Sequence, residues 1–133
     1  MSSIVDMMGE KEIILFGNDN IVIRDSFETI RGGRSLDVTG YEPDTIYGGH
    51  VVIMEDSTKT YKPFPVSADG KTYGDLPAGH TIVGIVRATV SKKKPFVGIV
   101  IRGSVNPAAS VIPMDNILSS VKAALPLITF RED

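Results

Sequence analysis

The residues that could do chemistry are few and scattered. The two histidines, His50 and His80, each follow a glycine and open a β-prone run. A zinc site would need further ligands at suitable spacing, and neither a His-x-His nor a His-Glu-x-x-His pattern is present. Read alone, they are strand-end histidines whose ring nitrogens bond locally. Asp56, Asp69 and Asp75 lack the alternation of a calcium loop and suit turns instead. The glycines form no phosphate-cradling pattern. Ser67, Ser91, Ser104 and Ser110 lie outside any nucleophile-elbow context. Cysteine is absent, which excludes thiol catalysis, Cys-based zinc sites and iron–sulfur clusters. The expectation is a non-enzyme with no catalytic residue, no metal and no cofactor.

Lys92-Lys93-Lys94 is the one basic run. It could touch an anionic surface, or serve as a charged tip that protects strand edges from aggregation. A lysine between two Val-rich strands also resembles the lipoyl and biotinyl carrier hairpins. Those present a single lysine in a Met-Lys or Asp-Lys-Ala setting, whereas three lysines here precede Pro95.

The elements that must position these residues are mostly strands. The clearest segment runs from Leu76 to Asn106. It reads as two apolar strands, roughly His80 to Val90 and Phe96 to Gly103, joined by the tip Ser91–Pro95. His50-Val51-Val52-Ile53-Met54 is another strand. Tyr61-Lys62-Pro63-Phe64-Pro65-Val66 is extended and, with two prolines, suits only a sheet edge. One helix is expected near the C-terminus, with Asp115 capping its first turn. Ile117, Leu118, Val121, Ala124 and Leu125 share one face of it. Pro126 stops the helix, and Leu127-Ile128-Thr129-Phe130 forms a terminal strand. The fold class expected is mainly β (α+β): a small barrel-like or sandwich-like domain with one C-terminal helix, a final short strand and an N-terminal arm.

The chain of 133 residues fits one such domain at 46–133, preceded by an arm at 1–45. In the arm, Glu12-Ile13-Ile14-Leu15-Phe16 and Ile21-Val22-Ile23-Arg24 flank Gly17-Asn18-Asp19-Asn20, which reads as a hairpin. Arg31-Gly32-Gly33-Arg34 follows as a flexible link. An apolar two-stranded ribbon is marginal alone in water. It must either pack on its own domain or pair with another chain's sheet. Its candidate docking residues are Ile13, Leu15, Phe16, Ile21, Ile23, Arg31 and Arg34.

The formal net charge of -2, from 14 basic and 16 acidic residues, argues against a general nucleic-acid partner. No run approaches the roughly 20 apolar residues of a membrane span. The N-terminus lacks the features of a signal peptide, so the expectation is synthesis in the cytoplasm and no membrane partner.

Residues 46–133 resemble the lambda-type head decoration, or capsid cement, proteins of tailed phages. The resembling elements run in order. They are Gly48-Gly49-His50-Val51-Val52-Ile53, then Lys62-Pro63-Phe64-Pro65-Val66, then Leu76 to Val86 with its Val83-Gly84-Ile85. Val100-Ile101-Arg102-Gly103-Ser104-Val105-Asn106-Pro107-Ala108-Ala109 follows. The helix around Ile117–Leu125 and the closing Leu125-Pro126-Leu127-Ile128-Thr129-Phe130 complete the series. The resemblance covers about two-thirds of the chain. It implies a non-enzymatic virion protein on the capsid exterior, bound to the major capsid protein as a homo-oligomer, a trimer, with an N-terminal arm reaching into the shell. Residues 1–45 depart from the lambda-type pattern in length and in their own apolar ribbon. Other readings are a head-fibre or tail-associated subunit, or the carrier-type hairpin.

Overall fold

The structure is a computed structural model and describes residues 19–132. It begins with a single helical turn, α1 (Asp19–Val22), which runs directly into strand β1 (Ile23–Thr29). The short β2 (Arg34–Ser35) and β3 (Thr45–Ile46) come next, then β4 (Val51–Glu55) and β5 (Tyr61–Pro63). The C-terminal half holds β6 (His80–Val86), β7 (Val90–Ser91), β8 (Phe96–Val97), β9 (Ile99–Val105), helix α2 (Leu118–Ala124) and β10 (Ile128–Phe130).

The main sheet has the order β1-β9-β6-β4-β5, antiparallel throughout, and β10 adds to β9 in parallel. One edge of β9 is taken by β1. The other is shared: β6 pairs with Ile99 and Val100, and β10 with Gly103 to Val105. Two small ladders, β2 with β8 and β3 with β7, complete the strands. The fold is mainly β with one short C-terminal helix, as expected from the sequence.

The sheet is buried on both sides, and this explains the composition of its central strands. Val51 and Ile53 of β4, Ile82 and Ile85 of β6, and Val100 and Val105 of β9 face one core with Phe64, Tyr73, Met114 and the apolar side of α2. Val52, Val86 and Ile99 face a second core with Leu36, Tyr41, Ile46 and Val97. A strand covered on both faces carries a continuous apolar run where a half-solvated one would alternate. The proline-bearing β5 lies at the end of the strand order, where a missing N–H does not interrupt a ladder.

At seven residues, α2 is too short to persist alone, so packing holds it. Val121 is fully buried, and Ile117 and Leu125 nearly so. Asp115 does not cap it. The cap position is Ile117, without a side-chain bond, because Asp115 lies in a preceding turn closed by Ile117 N–H on the Met114 carbonyl at 2.9 Å. Ala124 is exposed and Leu118 only half-buried, so the apolar face is narrower than its spacing implies.

Four further expectations are corrected. The ribbon expected across residues 12–24 is not continued by Ile21-Val22 as a strand. Asp19–Val22 is helical, and β1 pairs with β9; Glu12–Phe16 lies outside the described residues. Residues 31–34 form a turn with Gly33 N–H on the Ile30 carbonyl, and Arg34 enters β2. Nor is there a break at residue 45, since Val22, Leu36 and Tyr41 belong to the cores. The long strands are also interrupted. β6 ends at Val86, and β7 and β8 leave to pair with β3 and β2.

The seat of α1 is built from long-range contacts. Asp19 accepts from Thr89 N–H at 2.9 Å and from the Thr89 hydroxyl at 2.6 Å. Gly48 leaves room for the carboxylate, since a β-carbon there would lie 2.6 Å from Asp19 Oδ1. At Gly49 a β-carbon would run into Val22 Cγ1, and the φ of 98° is one that L side chains rarely adopt. Gly49→Ala is expected to lose about 2–4 kcal/mol from backbone strain and displaced packing. Asp19→Ala is expected to lose about 2 kcal/mol. Urea unfolding of Asp19→Ala, Thr89→Val and the double variant checks the contact: a coupling below about 0.5 kcal/mol would show that the bonds do not hold α1.

Candidate interaction surface

The histidines stay apart. His50 precedes β4 while His80 pairs with Glu55 at its other end, so the strand length, roughly 16 Å at 3.3 Å per residue, separates them. Among the described residues no group of three or more metal-ligating side chains assembles. His80 donates from Nδ1 to the Ala78 carbonyl at 3.0 Å, which leaves Nε2 to accept from Lys62 Nζ at 3.2 Å. Lys62 also bonds Glu55 Oε1 at 3.1 Å, and that bond holds the Glu55 carboxyl below its usual range.

His50 is buried between the rings of Tyr41 and Tyr73. Its Nε2 lies 2.9 Å from the Phe64 carbonyl, an acceptor only, so Nε2 carries the proton. Nδ1 and the Tyr41 hydroxyl have no partner among the described residues. Burial lowers the His50 pKa from 6.5 to about 4, against the smaller opposing effect of the Phe64 bond. The folded state therefore binds fewer protons than the unfolded chain. The stability tied to neutral His50 is complete above pH 6.5 and is lost as pH falls towards about 4. The gap corresponds to roughly 3 kcal/mol. Urea unfolding of wild type and His50→Gln at pH 7, 5.5 and 4 should show the wild type losing that much more than the variant. Parallel pH profiles would remove His50 as the cause.

Asp56 and Asp69 lie in turns as expected, whereas Asp75 lies outside any turn. Asp69 accepts from the Ser67 hydroxyl at 2.5 Å and the Lys71 N–H at 3.0 Å, and these bonds lower its pKa, the Ser67 bond most. Asp56 accepts from the Thr81 hydroxyl at 2.6 Å. In the lysine tip, Lys92 folds down and donates to the carbonyls of Tyr41 at 2.8 Å and Glu42 at 3.3 Å. A lysine held in this way is not presented for a tethered cofactor, whereas Lys94 is exposed.

Of the candidate docking residues, the four that are described, Ile21, Ile23, Arg31 and Arg34, do not form one surface. Ile13, Leu15 and Phe16 lie outside the described residues. Ile21 is exposed on α1, while Ile23 pairs with Val105 and packs against the first core. At the far end of β1, Arg31 is exposed and its carbonyl accepts from Arg34 Nη1 at 3.1 Å. The Arg34 guanidinium lies over the Tyr61 ring, 5.4 Å from its centroid. The length of β1, roughly 20 Å at strand rise, separates Ile23 from the Arg31–Arg34 turn.

Two residues outside that set are turned to solvent on either side of β9. Phe27 on β1 is 67% exposed, and Leu127, just before β10, is 64% exposed. Ser26 and Ile128 both pair with Gly103, so the backbones at Phe27 and Leu127 flank one short stretch of β9. Their strands lie two ladder spacings apart, roughly 10 Å. The outer edge of β1 pairs with no other described strand. Three register shifts and the charges of Arg24, Asp25 and Glu28 along it are devices that discourage indiscriminate pairing. The sequence signal for Phe27 is its isolation among polar neighbours, since a strand facing its own core would repeat an apolar residue every second position.

No protein-family model, curated protein or solved structure matches the chain.

Proposed function

We propose that this chain is a non-enzymatic structural subunit of a tailed-phage virion, made in the host cytoplasm. In this reading it binds the outside of an assembled capsid through the major capsid protein, associates as a trimer and stabilises the shell. The observation that carries it is the exposure of Phe27 and Leu127 beside β9, in a sheet whose central apolar residues face a core. Large apolar groups left in water together are a mark of interaction surfaces. The resemblance of residues 46–133 to the capsid cement proteins, carried by the sequence motifs, points to the same reading. Binding many copies to an assembled lattice stabilises it by mass action, without chemistry.

Because α1 and β1 belong to the fold, the docking arm of this reading is the chain before Asp19, which carries Ile13, Leu15 and Phe16. The test uses expanded shells of the major capsid protein from the same genome. Full-length protein is expected to co-sediment with them saturably and to raise their melting temperature. Phe27→Ser combined with Leu127→Ser is expected to weaken binding at least tenfold, about 1.4 kcal/mol or more, with an unchanged fold. Absence of both co-sedimentation and stabilisation would reject the reading.

A further inference from the structure

A cavity of about 290 Å³ lies between the loop after β2 and the segment after β5. Ile53, Pro63, Val66 and Pro77 contribute apolar wall, and Asp37, Tyr41, Glu42, Lys62 and His80 are its titratable groups. The volume falls just under the range of about 300–1,000 Å³ typical of small-molecule sites. It suits one inserted side chain better than a metabolite.

The charges decide which side chain. Lys62 is neutralised by Glu55 at 3.1 Å, and His80 Nε2 is committed to the Lys62 ammonium. Asp37 forms no ion pair among the described residues, although Lys62 lies near enough to favour its charged form. Asp37 Oδ1 accepts from the Thr39 hydroxyl at 2.7 Å and the Thr39 N–H at 3.1 Å, bonds that favour the charged form more strongly. Glu42 is exposed beside the cavity. With Lys62 and Lys92, the latter bound at the Tyr41 and Glu42 carbonyls, set against Asp37, Glu42 and Glu55, the rim keeps a net negative charge above an apolar interior.

We infer that this cavity is a socket for a basic side chain, arginine or lysine, of a partner protein. Such a side chain lays an aliphatic stem along apolar wall and keeps its charged head at a polar rim. Arginine in a confined pocket is also among the commonest anchors of protein interfaces. In shell binding the side chain belongs to the major capsid protein, and that assignment rests on the reading above; the socket itself does not.

The first test is direct. N-acetyl-argininamide is titrated into the full-length protein and followed by amide chemical shifts, with N-acetyl-norleucinamide as a probe that has the stem but no charge. The expected result is saturable shifts confined to residues 37–42, 62–68 and 77–80 with the arginine probe. Binding is expected to weaken at least fivefold in Asp37→Asn/Glu42→Gln. Asparagine at 37 keeps an oxygen for the Thr39 bonds, so the fold should persist. Equal binding of the two probes, an unaffected double variant, or no localised shifts at 50 mM probe would overturn the socket. In the second test, the double variant is expected to bind expanded shells at least tenfold more weakly and with less salt dependence. Unchanged shell affinity would remove the capsid protein as the source of the side chain. Shells that fail to bind even the wild type would reject the shell reading, and the probe titration would still judge the socket.

Discussion

Deleting residues 1–45 will abolish folding, whereas deleting residues 1–18 will leave a cooperatively unfolding protein that no longer binds shells. The longer deletion removes α1, β1 and β2 together with Val22, Leu36 and Tyr41, all at most 6% exposed. Burying a large apolar side chain stabilises by about 1.5–3 kcal/mol, so three of them contribute roughly 5–9 kcal/mol. That is comparable to the whole net stability of a small domain, about 5–15 kcal/mol. The same deletion strips the outer edge of β9 along its length and uncovers part of both cores. The shorter deletion spares every core residue named above and leaves the Asp19–Thr89 contact in place. Circular dichroism melts and shell co-sedimentation of both truncations check the pair. A folded 46–133 fragment would show that β1 is dispensable. A truncation at 18 that decorates shells with full affinity would show that the preceding chain is not the anchor.

Val121→Asp is expected to cost at least about 4 kcal/mol and to leave no folded baseline at moderate temperature. Val121 is fully buried in the first core, where α2 meets β6. A carboxylate placed there must either protonate or remain charged without a partner, and both are costly. Lys122→Asp is the control, since the next residue points to solvent. It puts a negative charge in the last turn of α2, where the helix dipole disfavours one, at a cost of about 0.5 kcal/mol. Thermal and urea unfolding of the two variants separate these outcomes. Similar midpoints would mean that the face of α2 turned to the sheet is misassigned.

Residue types determined the local features directly. The apolar runs at Val51–Ile53 and Ile99–Ile101 made strands, since β-branched side chains suit a pleated, buried surface. Pro63 sent β5 to an edge, because the missing N–H is tolerated only there. Pro126 stopped α2, and Ile117, Val121 and Leu125 carried a helical period. These signals act within a few residues and survive in a single sequence. The narrowness of the α2 face was not local, because it depends on how closely the helix sits against β6, whereas the missing side-chain cap follows from the Met114–Ile117 turn that holds Asp115.

Only the tertiary structure decided which edges meet. Polar and apolar residues mix in Ile23–Thr29, so nothing in the sequence distinguishes a free ribbon from a strand bound to β9. The Asp19–Thr89 bonds join residues 70 apart, and the pairing of β10 with β9 depends on where α2 returns the chain. The candidate socket likewise draws Asp37, Lys62 and His80 together from three separate segments. Such contacts arise when one surface buries another. Their free energy belongs to the pair of surfaces, so neither segment carries the signal alone.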